Sequence, residues 1–133
     1  MTAADWRPGV ADQKLAPFVG QKYISVETFK KNGQGVKTPV WFVLLDNAFY
    51  VYTEADSWKV TRIRNNPRVR VAPCGVRGDV KGPWLDGTAS FVEGDERIAA
   101  DKLLDRKYFL KMIFNVLAKI NRHTRAMIKI EPA

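Results

Sequence analysis

YVYTEADSWKVTRIRNNPRVR, the sequence of residues 50–70, joins a strand to a short helix. The β-branched and aromatic residues at positions 50–53 favour a strand. Asp56 or Ser57 is a suitable helix cap, and apolar residues three positions apart follow it. Pro67 ends the helix, because proline has no N–H to donate and restricts the residue before it. The rest of the chain is interpreted around this strand-turn-helix unit.

The junction between the strand and the helix is predicted to bind a phosphate. Thr53 and Ser57 supply hydroxyls, the helix start supplies free backbone N–H groups, and Lys59 supplies a positive charge. Arg62 and Arg64 follow in the next turn, so several cations and the positive end of the helix dipole lie near one point. The alternative is an ordinary turn in which the same residues only cap the helix.

The flanking sequence predicts further strands, mostly joined by hairpins. Residues 22–29 alternate between two faces, and the Asn32-Gly33 pair after them is a strong hairpin signal. Residues 38–45 are nearly all apolar, which predicts a strand covered on both faces. About six antiparallel strands favour a small barrel in a mainly β protein with peripheral helices. The predicted strands are 22–29, 38–45, 49–53, 68–74, 81–93 and 124–130, and the predicted helices are 10–19, the short one before Asn65, 96–106 after a Gly94-Asp95 cap, and 108–122.

The composition fits one domain spanning residues 1–133, with residues 1–8 as a loose arm. The chain is 46% hydrophobic and 11% aromatic, which is enough to bury a core. Its longest apolar run, residues 40–45, is too short to span a bilayer, and its first residues do not look like a signal peptide. We therefore expect a cytoplasmic protein without stable membrane insertion.

Cysteine and histidine are too scarce for several kinds of site. Cys74 is the single cysteine, so the chain has no internal disulfide. With His123 as the single histidine, a zinc or iron–sulfur site is not expected. We interpret Cys74 as a small buried apolar residue and His123 as a surface residue.

The net charge of +8 indicates an anionic partner. The positive charge is unevenly distributed along the chain, because residues 59–81 contain seven Lys or Arg and one acid, Asp79. Nucleic acid, an anionic membrane and a polyanionic small molecule would all suit such a surface. Nucleic-acid barrels usually expose aromatic residues on a basic sheet, whereas the aromatics here cluster in apolar strands, which disfavours nucleic acid.

Six motifs follow one another in the central part of the chain. They are Lys37-Thr38-Pro39-Val40-Trp41-Phe42, Tyr52-Thr53, Ser57-x-Lys59, Arg62-Ile63-Arg64-Asn65-Asn66-Pro67, Arg68-Val69-Arg70-Val71-Ala72-Pro73-Cys74 and Gly82-Pro83-Trp84. In order and spacing these motifs resemble the flavin- and deazaflavin-dependent split-barrel oxidoreductases, the superfamily of the pyridoxamine 5′-phosphate oxidases. The resemblance is strongest to the branch in which many members use the deazaflavin coenzyme F-420, and it covers residues 23–89 well. One departure is Trp58, which stands where that branch usually has a small residue.

The resemblance implies a six-stranded antiparallel split barrel that forms a homodimer with cofactor sites at the subunit interface. It places residues 37–41 beside the tricyclic ring of the cofactor. Three residues at the strand-helix junction, Thr53, Ser57 and Lys59, would bind the cofactor phosphate. Three arginines would assist with the phosphate or with a longer anionic tail, and residues 82–84 would lie on the far side of the ring or against the partner. The implied site residues are Lys37, Thr38, Pro39, Val40, Trp41, Thr53, Ser57, Lys59, Arg62, Arg64, Arg70, Gly82, Pro83 and Trp84.

Three functions follow from these observations. The first is an oxidoreductase that uses reduced F-420 to pass a hydride to a small conjugated acceptor, since the basic surplus suits the polyanionic tail of F-420. The second uses FMN, whose single phosphate needs fewer cations. The third is a non-enzymatic module that binds a cofactor, haem or nucleic acid. No catalytic residue is named, because the cofactor carries the hydride chemistry.

Overall fold

The computed structural model describes residues 10–108 and 125–133. These residues form seven strands and three α-helices, one of which is followed directly by a short 3-10 turn, Ala16–Phe18. The strands are β1 Tyr23–Phe29, β2 Gly35–Val40, β3 Val43–Leu45, β4 Ala48–Glu54, β5 Arg68–Cys74, β6 Leu85–Phe91 and β7 Arg125–Pro132, and the helices are α1 Val10–Leu15, α2 Trp58–Asn65 and α3 Gly94–Lys107.

All strands of the described residues belong to one antiparallel sheet with the order β2-β1-β5-β6-β7-β4-β3. The predicted mainly β class is therefore confirmed. The described residues form seven strands where about six were predicted, because residues 38–45 belong to two strands with a break at Trp41 and Phe42. The strand β2 is also partly exposed, so the prediction that both faces are covered is wrong for this segment.

The break shows that the sheet is curled. β2 pairs with β1 at one edge of the sheet, whereas β3 pairs with β4 at the other edge. Only two residues separate Val40 from Val43, and a chain that short spans at most about 11 Å between these Cα atoms. The two edges are therefore close at this point, as in a split barrel.

Contacts around Phe42 hold the break in place. The Phe42 side chain is 1% exposed, its N–H donates to the Tyr108 hydroxyl at 3.1 Å, and its carbonyl accepts from the Lys107 amine at 2.9 Å. The Tyr108 hydroxyl also lies 2.7 Å from the Lys22 carbonyl oxygen, to which it donates. Burial raises the pKa of Tyr108 to about 12, so this hydroxyl keeps its proton at neutral pH.

Replacing Tyr108 by phenylalanine is expected to lower the free energy of unfolding by about 1–3 kcal/mol, because the buried Phe42 N–H would lose its acceptor. Urea unfolding of the variant measures the loss. Ser90→Ala removes an exposed hydroxyl from β6 and is the control, with an expected change within about 0.5 kcal/mol. Equal stability of the Tyr108→Phe variant and the unmodified chain would contradict this role.

The inner face of the curled sheet carries the larger core. Phe49 on β4 is fully buried and packs edge-to-face on Phe18 at 4.8 Å between ring centroids, with Phe42 at 5.9 Å. The predicted strand β1 is confirmed, and its Ile24 and Val26 enter this core, although β1 is buried on both faces. The 3-10 turn supplies Phe18, and α2 supplies Ile63.

A second core lies between the outer face of the sheet and α3. Tyr50 and Met127 from β4 and β7 pack with Leu104 from the helix. The Tyr50 hydroxyl donates to Glu96 at 2.5 Å, and the Lys129 amine lies 2.7 Å from the same carboxylate oxygen. Burial, together with the Glu96 carboxylate, raises the pKa of Tyr50 to about 12. This network ties two strands to α3.

Several predicted boundaries differ from the structure. The predicted helix 10–19 is the six-residue α1 followed by the 3-10 turn, and the predicted strand 81–93 begins at Leu85 because Gly82 and Pro83 lie in a loop. The cap of α3 is Glu93 rather than Gly94-Asp95, and it makes no side-chain hydrogen bond to the helix. The predicted arm 1–8, residues 109–122 of the predicted helix 108–122, and His123 lie outside the described residues.

Candidate functional site

The strand-helix junction brings Thr53, Ser57 and Lys59 together, and we call these three residues the phosphate corner. Thr53 Oγ1 lies 3.2 Å from Ser57 Oγ, and Lys59 Nζ donates to Thr53 Oγ1 at 3.2 Å. Ser57, rather than Asp56, is the N-cap of α2 and accepts from the Val60 N–H at 3.4 Å. The capping interaction therefore points a hydroxyl at the helix start, beside a lysine.

The electrostatics of the phosphate corner favour an anion. Lys59 is partly buried, and this burial lowers its pKa, with Arg62 adding to the effect and Glu54 opposing it. The first turn of α2 contains no acidic residue, and its leading N–H groups lack helical acceptors. A phosphate would compensate the desolvated ammonium and accept from the hydroxyls and N–H groups. The donor set of the corner fits a phosphate group.

The three side chains of the phosphate corner hydrogen-bond to one another, so a phosphate would have to replace the Lys59–Thr53 bond. A cavity of about 400 Å³ lies elsewhere, between the 3-10 turn, β3 and the end of α3. None of the residues that line this cavity belongs to the predicted site. The corner is thus a group of two hydroxyls and one amine that hydrogen-bond to one another at a helix start.

A second set of predicted residues meets on the outer face of the sheet. Lys37, Glu27 and Arg70 occupy one rung across β2, β1 and β5, and Asp86 extends it onto β6; we call these four residues the charge row. Arg70 lies 3.5 Å from Glu27 and 3.3 Å from Asp86. The Trp84 ring covers the row, with Lys37 Nζ and Arg70 Cζ at 5.2 and 5.3 Å from its centroid.

The other predicted arginines take different partners. Arg62 Nε donates to the hydroxyl of Thr28, a residue with no exposed surface, at 2.6 Å. Arg64 is exposed and lies over the Phe91 ring at 5.4 Å. Arg62 therefore uses one N–H donor for a hydrogen bond within the fold, whereas Arg64 lies at the surface.

The remaining predicted residues are spread around the barrel. Trp41 stacks on Tyr108, with ring centroids 4.6 Å apart and planes 7° from parallel. Three more come from β2: Thr38 lies opposite Val26 on the inner face, Pro39 lies opposite Ser25, and Val40 lies opposite Ile24. Gly82 and Pro83 lie in the loop before β6, where a Cβ at Gly82 would meet Pro73 at 2.7 Å, as a close approach that only glycine permits.

Trp58 is 77% exposed at the first position of α2. The side chain of Trp58 is therefore not part of the core of a single chain. Its ring lies at the protein surface beside the phosphate corner.

Sequence reasoning missed Glu27, Asp86 and Tyr108. The alternation of residues in β1 placed Glu27 on the face opposite Ile24 and Val26. It did not show that Glu27 is only 9% exposed within the charge row. Its partners come from other strands, so no local motif marks them. No sequence pattern around Tyr108 indicated that its hydroxyl hydrogen-bonds to the backbone of residues 22 and 42.

Within the described ranges, 10–108 and 125–133, no group of three His, Cys, Asp or Glu side chains could hold a metal ion. In the same part of the chain, no helix has the length and apolar character needed to cross a membrane. Cys74 is buried as predicted, and burial raises the pKa of its thiol.

Comparison with known proteins points to one family. The family model described as pyridoxamine 5′-phosphate oxidase matches residues 11–133. No curated protein sequence matches the chain. Because the family model covers nearly the whole chain, the match extends well beyond the motif region.

Solved structures share the fold. General Stress Protein 26 from Bacillus anthracis is 26% identical, with a TM-score of 0.61 over 92% of this chain and 88% of that one. A putative pyridoxamine 5′-phosphate oxidase from Listeria innocua is 17% identical, with a TM-score of 0.61 over 93% and 94%. HutZ, a heme storage protein from Vibrio cholerae, is 16% identical, with a TM-score of 0.66 over 86% and 83%.

Proposed function

Because the chain belongs to the pyridoxamine 5′-phosphate oxidase family, we propose that it is an oxidoreductase that binds a phosphorylated flavin or deazaflavin. The observation that carries the proposal is the phosphate corner, in which two hydroxyls and a partly buried lysine converge at a helix start. These groups match a phosphate in charge and in hydrogen-bonding capacity.

The residues of this chain have a binding and orienting role in the proposal. When bound, the cofactor supplies the hydride transfer. Lys59 would give up its bond to Thr53 and donate to the phosphate, Ser57 would stay the helix cap, and the N–H groups of α2 would complete the cradle. Residues 37–41 would lie beside the ring and residues 82–84 on its far side or against the partner, and a homodimer in the cytoplasm would complete two such sites.

Coenzyme F-420 is the preferred cofactor in this proposal. Its anionic tail needs cations beyond those of the phosphate corner, and the net charge of +8 supplies a surplus. Arg64 suits the tail best, because it is exposed and none of the salt bridges within the described residues involves it. Arg70 is less suitable, since it already pairs with two carboxylates. FMN, with one phosphate, is the alternative, and a small conjugated molecule is the hydride acceptor.

A haem-binding function is a second candidate, for one reason. Solved structures named as a heme storage protein from Vibrio cholerae and a heme binding protein from Mycobacterium smegmatis share the fold, with TM-scores of 0.66 and 0.69. The phosphate corner contains a cation, two hydroxyls and no histidine, which suits a phosphate better than a haem iron.

Titration of the purified chain with F-420, FMN and haemin tests the proposal. Quenching of tryptophan fluorescence reports binding, and absorbance distinguishes a flavin from the Soret band of a haem complex. We expect saturable binding of F-420 and weaker binding of FMN. Binding of haemin alone would replace the oxidoreductase with the haem candidate, and binding of none of the three would refute the cofactor site.

The contribution of the anionic F-420 tail to binding affinity is expected to depend on the salt concentration. If Arg64 contacts the tail, F-420 affinity should fall as NaCl is raised to roughly 0.5 M, where exposed charges are largely screened. Arg64→Ala should flatten this dependence and leave FMN binding unchanged within about twofold. An F-420 affinity that does not respond to salt would remove the tail contact from the proposal.

A further inference from the structure

A groove apart from the phosphate corner lies between the 3-10 turn, β3 and the end of α3, and we call it the α3 groove. Its volume is about 400 Å³, which is within the range of about 300–1,000 Å³ typical of small-molecule sites. It is lined by Phe18, Val19, Gly20, Phe42, Val43, Leu44, Leu103, Arg106 and Lys107.

The lining is divided by chemistry. Most of the wall is apolar and includes Phe18, Phe42 and Leu103. The two polar side chains that line it, Arg106 and Lys107, are consecutive residues in the last turn of α3. An apolar groove with two cations in its lining is complementary to an amphipathic anion.

The two cations are available for such a ligand. The Lys107 amine donates one hydrogen bond to the Phe42 carbonyl and lies 3.6 Å from the Phe42 ring centroid, which leaves two N–H donors. Within the described residues, the salt bridges use Arg70, Arg97 and Lys129, and none involves Arg106 or Lys107. Partial burial also lowers the pKa of Lys107 to about 8, which a bound anion would counteract.

We propose that the α3 groove binds a small amphipathic carboxylate, with its apolar body against Phe18 and Leu103 and its carboxylate between Arg106 and Lys107. A neutral ligand would leave both cations without an anionic partner, and a polyphosphate would leave the apolar wall unused. The site shares no residue with the phosphate corner, so the inference is independent of the proposed function.

Calorimetric titration of the full chain with decanoate tests the site, with decanol as the uncharged counterpart. We expect saturable binding of decanoate and at least tenfold weaker binding of decanol. Arg106→Met should weaken decanoate binding about tenfold or more and leave decanol binding unchanged, as for loss of a charge-assisted hydrogen bond. Lys102→Met is the matched control, because Lys102 is exposed on the same helix and does not line the groove.

Other outcomes are equally informative. No decanoate binding, or equal binding of decanol, would overturn the proposal. Equal losses in Arg106→Met and Lys102→Met would show diffuse charge attraction rather than a site. Leu103→Glu, a change at a partly exposed position, should abolish binding; retained binding would overturn the assignment of the wall. Displacement of decanoate by FMN at matching stoichiometry would assign the groove to the cofactor instead.

Discussion

Replacing Phe49 by alanine is expected to lower the free energy of unfolding by about 3–5 kcal/mol. Phe49 has no exposed surface and is in contact with the aromatic rings of Phe18 and Phe42. These three rings come from β4, the 3-10 turn and the break between β2 and β3. Because they hold separate elements together, the surroundings cannot easily collapse into the space that alanine would leave.

Urea unfolding followed by tryptophan fluorescence measures this loss. Phe91→Ala is the matched control, because Phe91 is 36% exposed at the end of β6 and its removal leaves no enclosed cavity. We expect this control to lose about 1 kcal/mol or less. Similar losses in the two variants would mean that Phe49 is not at the centre of the inner core.

Lys59→Ala is expected to weaken cofactor binding by about 1.5–3 kcal/mol, or roughly 10- to 150-fold. Lys59 is the cation of the phosphate corner, and its amine already lies 3.2 Å from Thr53 Oγ1. Removing it leaves the phosphate with hydroxyl and N–H donors only. The fold should tolerate the change, since it removes a partly desolvated charge whose pKa burial already lowers.

The titrations used for the unmodified chain measure this effect with F-420 or FMN. Arg77→Ala, an exposed change in the loop after β5, is the control for the loss of one positive charge. Lys59→Arg should restore part of the affinity, because a cation returns at nearly the same place. Unchanged affinity in Lys59→Ala with an intact fold would remove Lys59 from the site.

Local sequence signals predicted the local parts of the fold. The alternation in residues 22–29 predicted β1 and its two faces. Asp46 and Asn47 form the two-residue β3–β4 turn and adopt positive φ angles of 51° and 63°, which aspartate and asparagine tolerate and which a type I′ turn requires. The break at Trp41 and Phe42 was not predictable in this way, because the apolar run continues through it and the hydrogen bonds that hold it come from residues 107 and 108.

The same distinction applies to the candidate site. Thr53, Ser57 and Lys59 lie within seven residues of one another, so the spacing of a strand and a helix cap was enough to group them. The charge row depends on pairing among four strands, which no spacing in the sequence reveals. For the same reason, the sequence grouped Trp41 with Lys37, whereas the structure stacks Trp41 on Tyr108.

The position of β7 affects how the chain can be made in the cell. β7 lies inside the sheet, between β6 and β4, although it is the last strand along the sequence. A nascent chain that ends before β7 lacks the strand that pairs with both β6 and β4. The edges of these two strands are then unpaired and open to pairing with other nascent chains. Truncation before Arg125 should consequently give aggregates rather than a smaller folded domain.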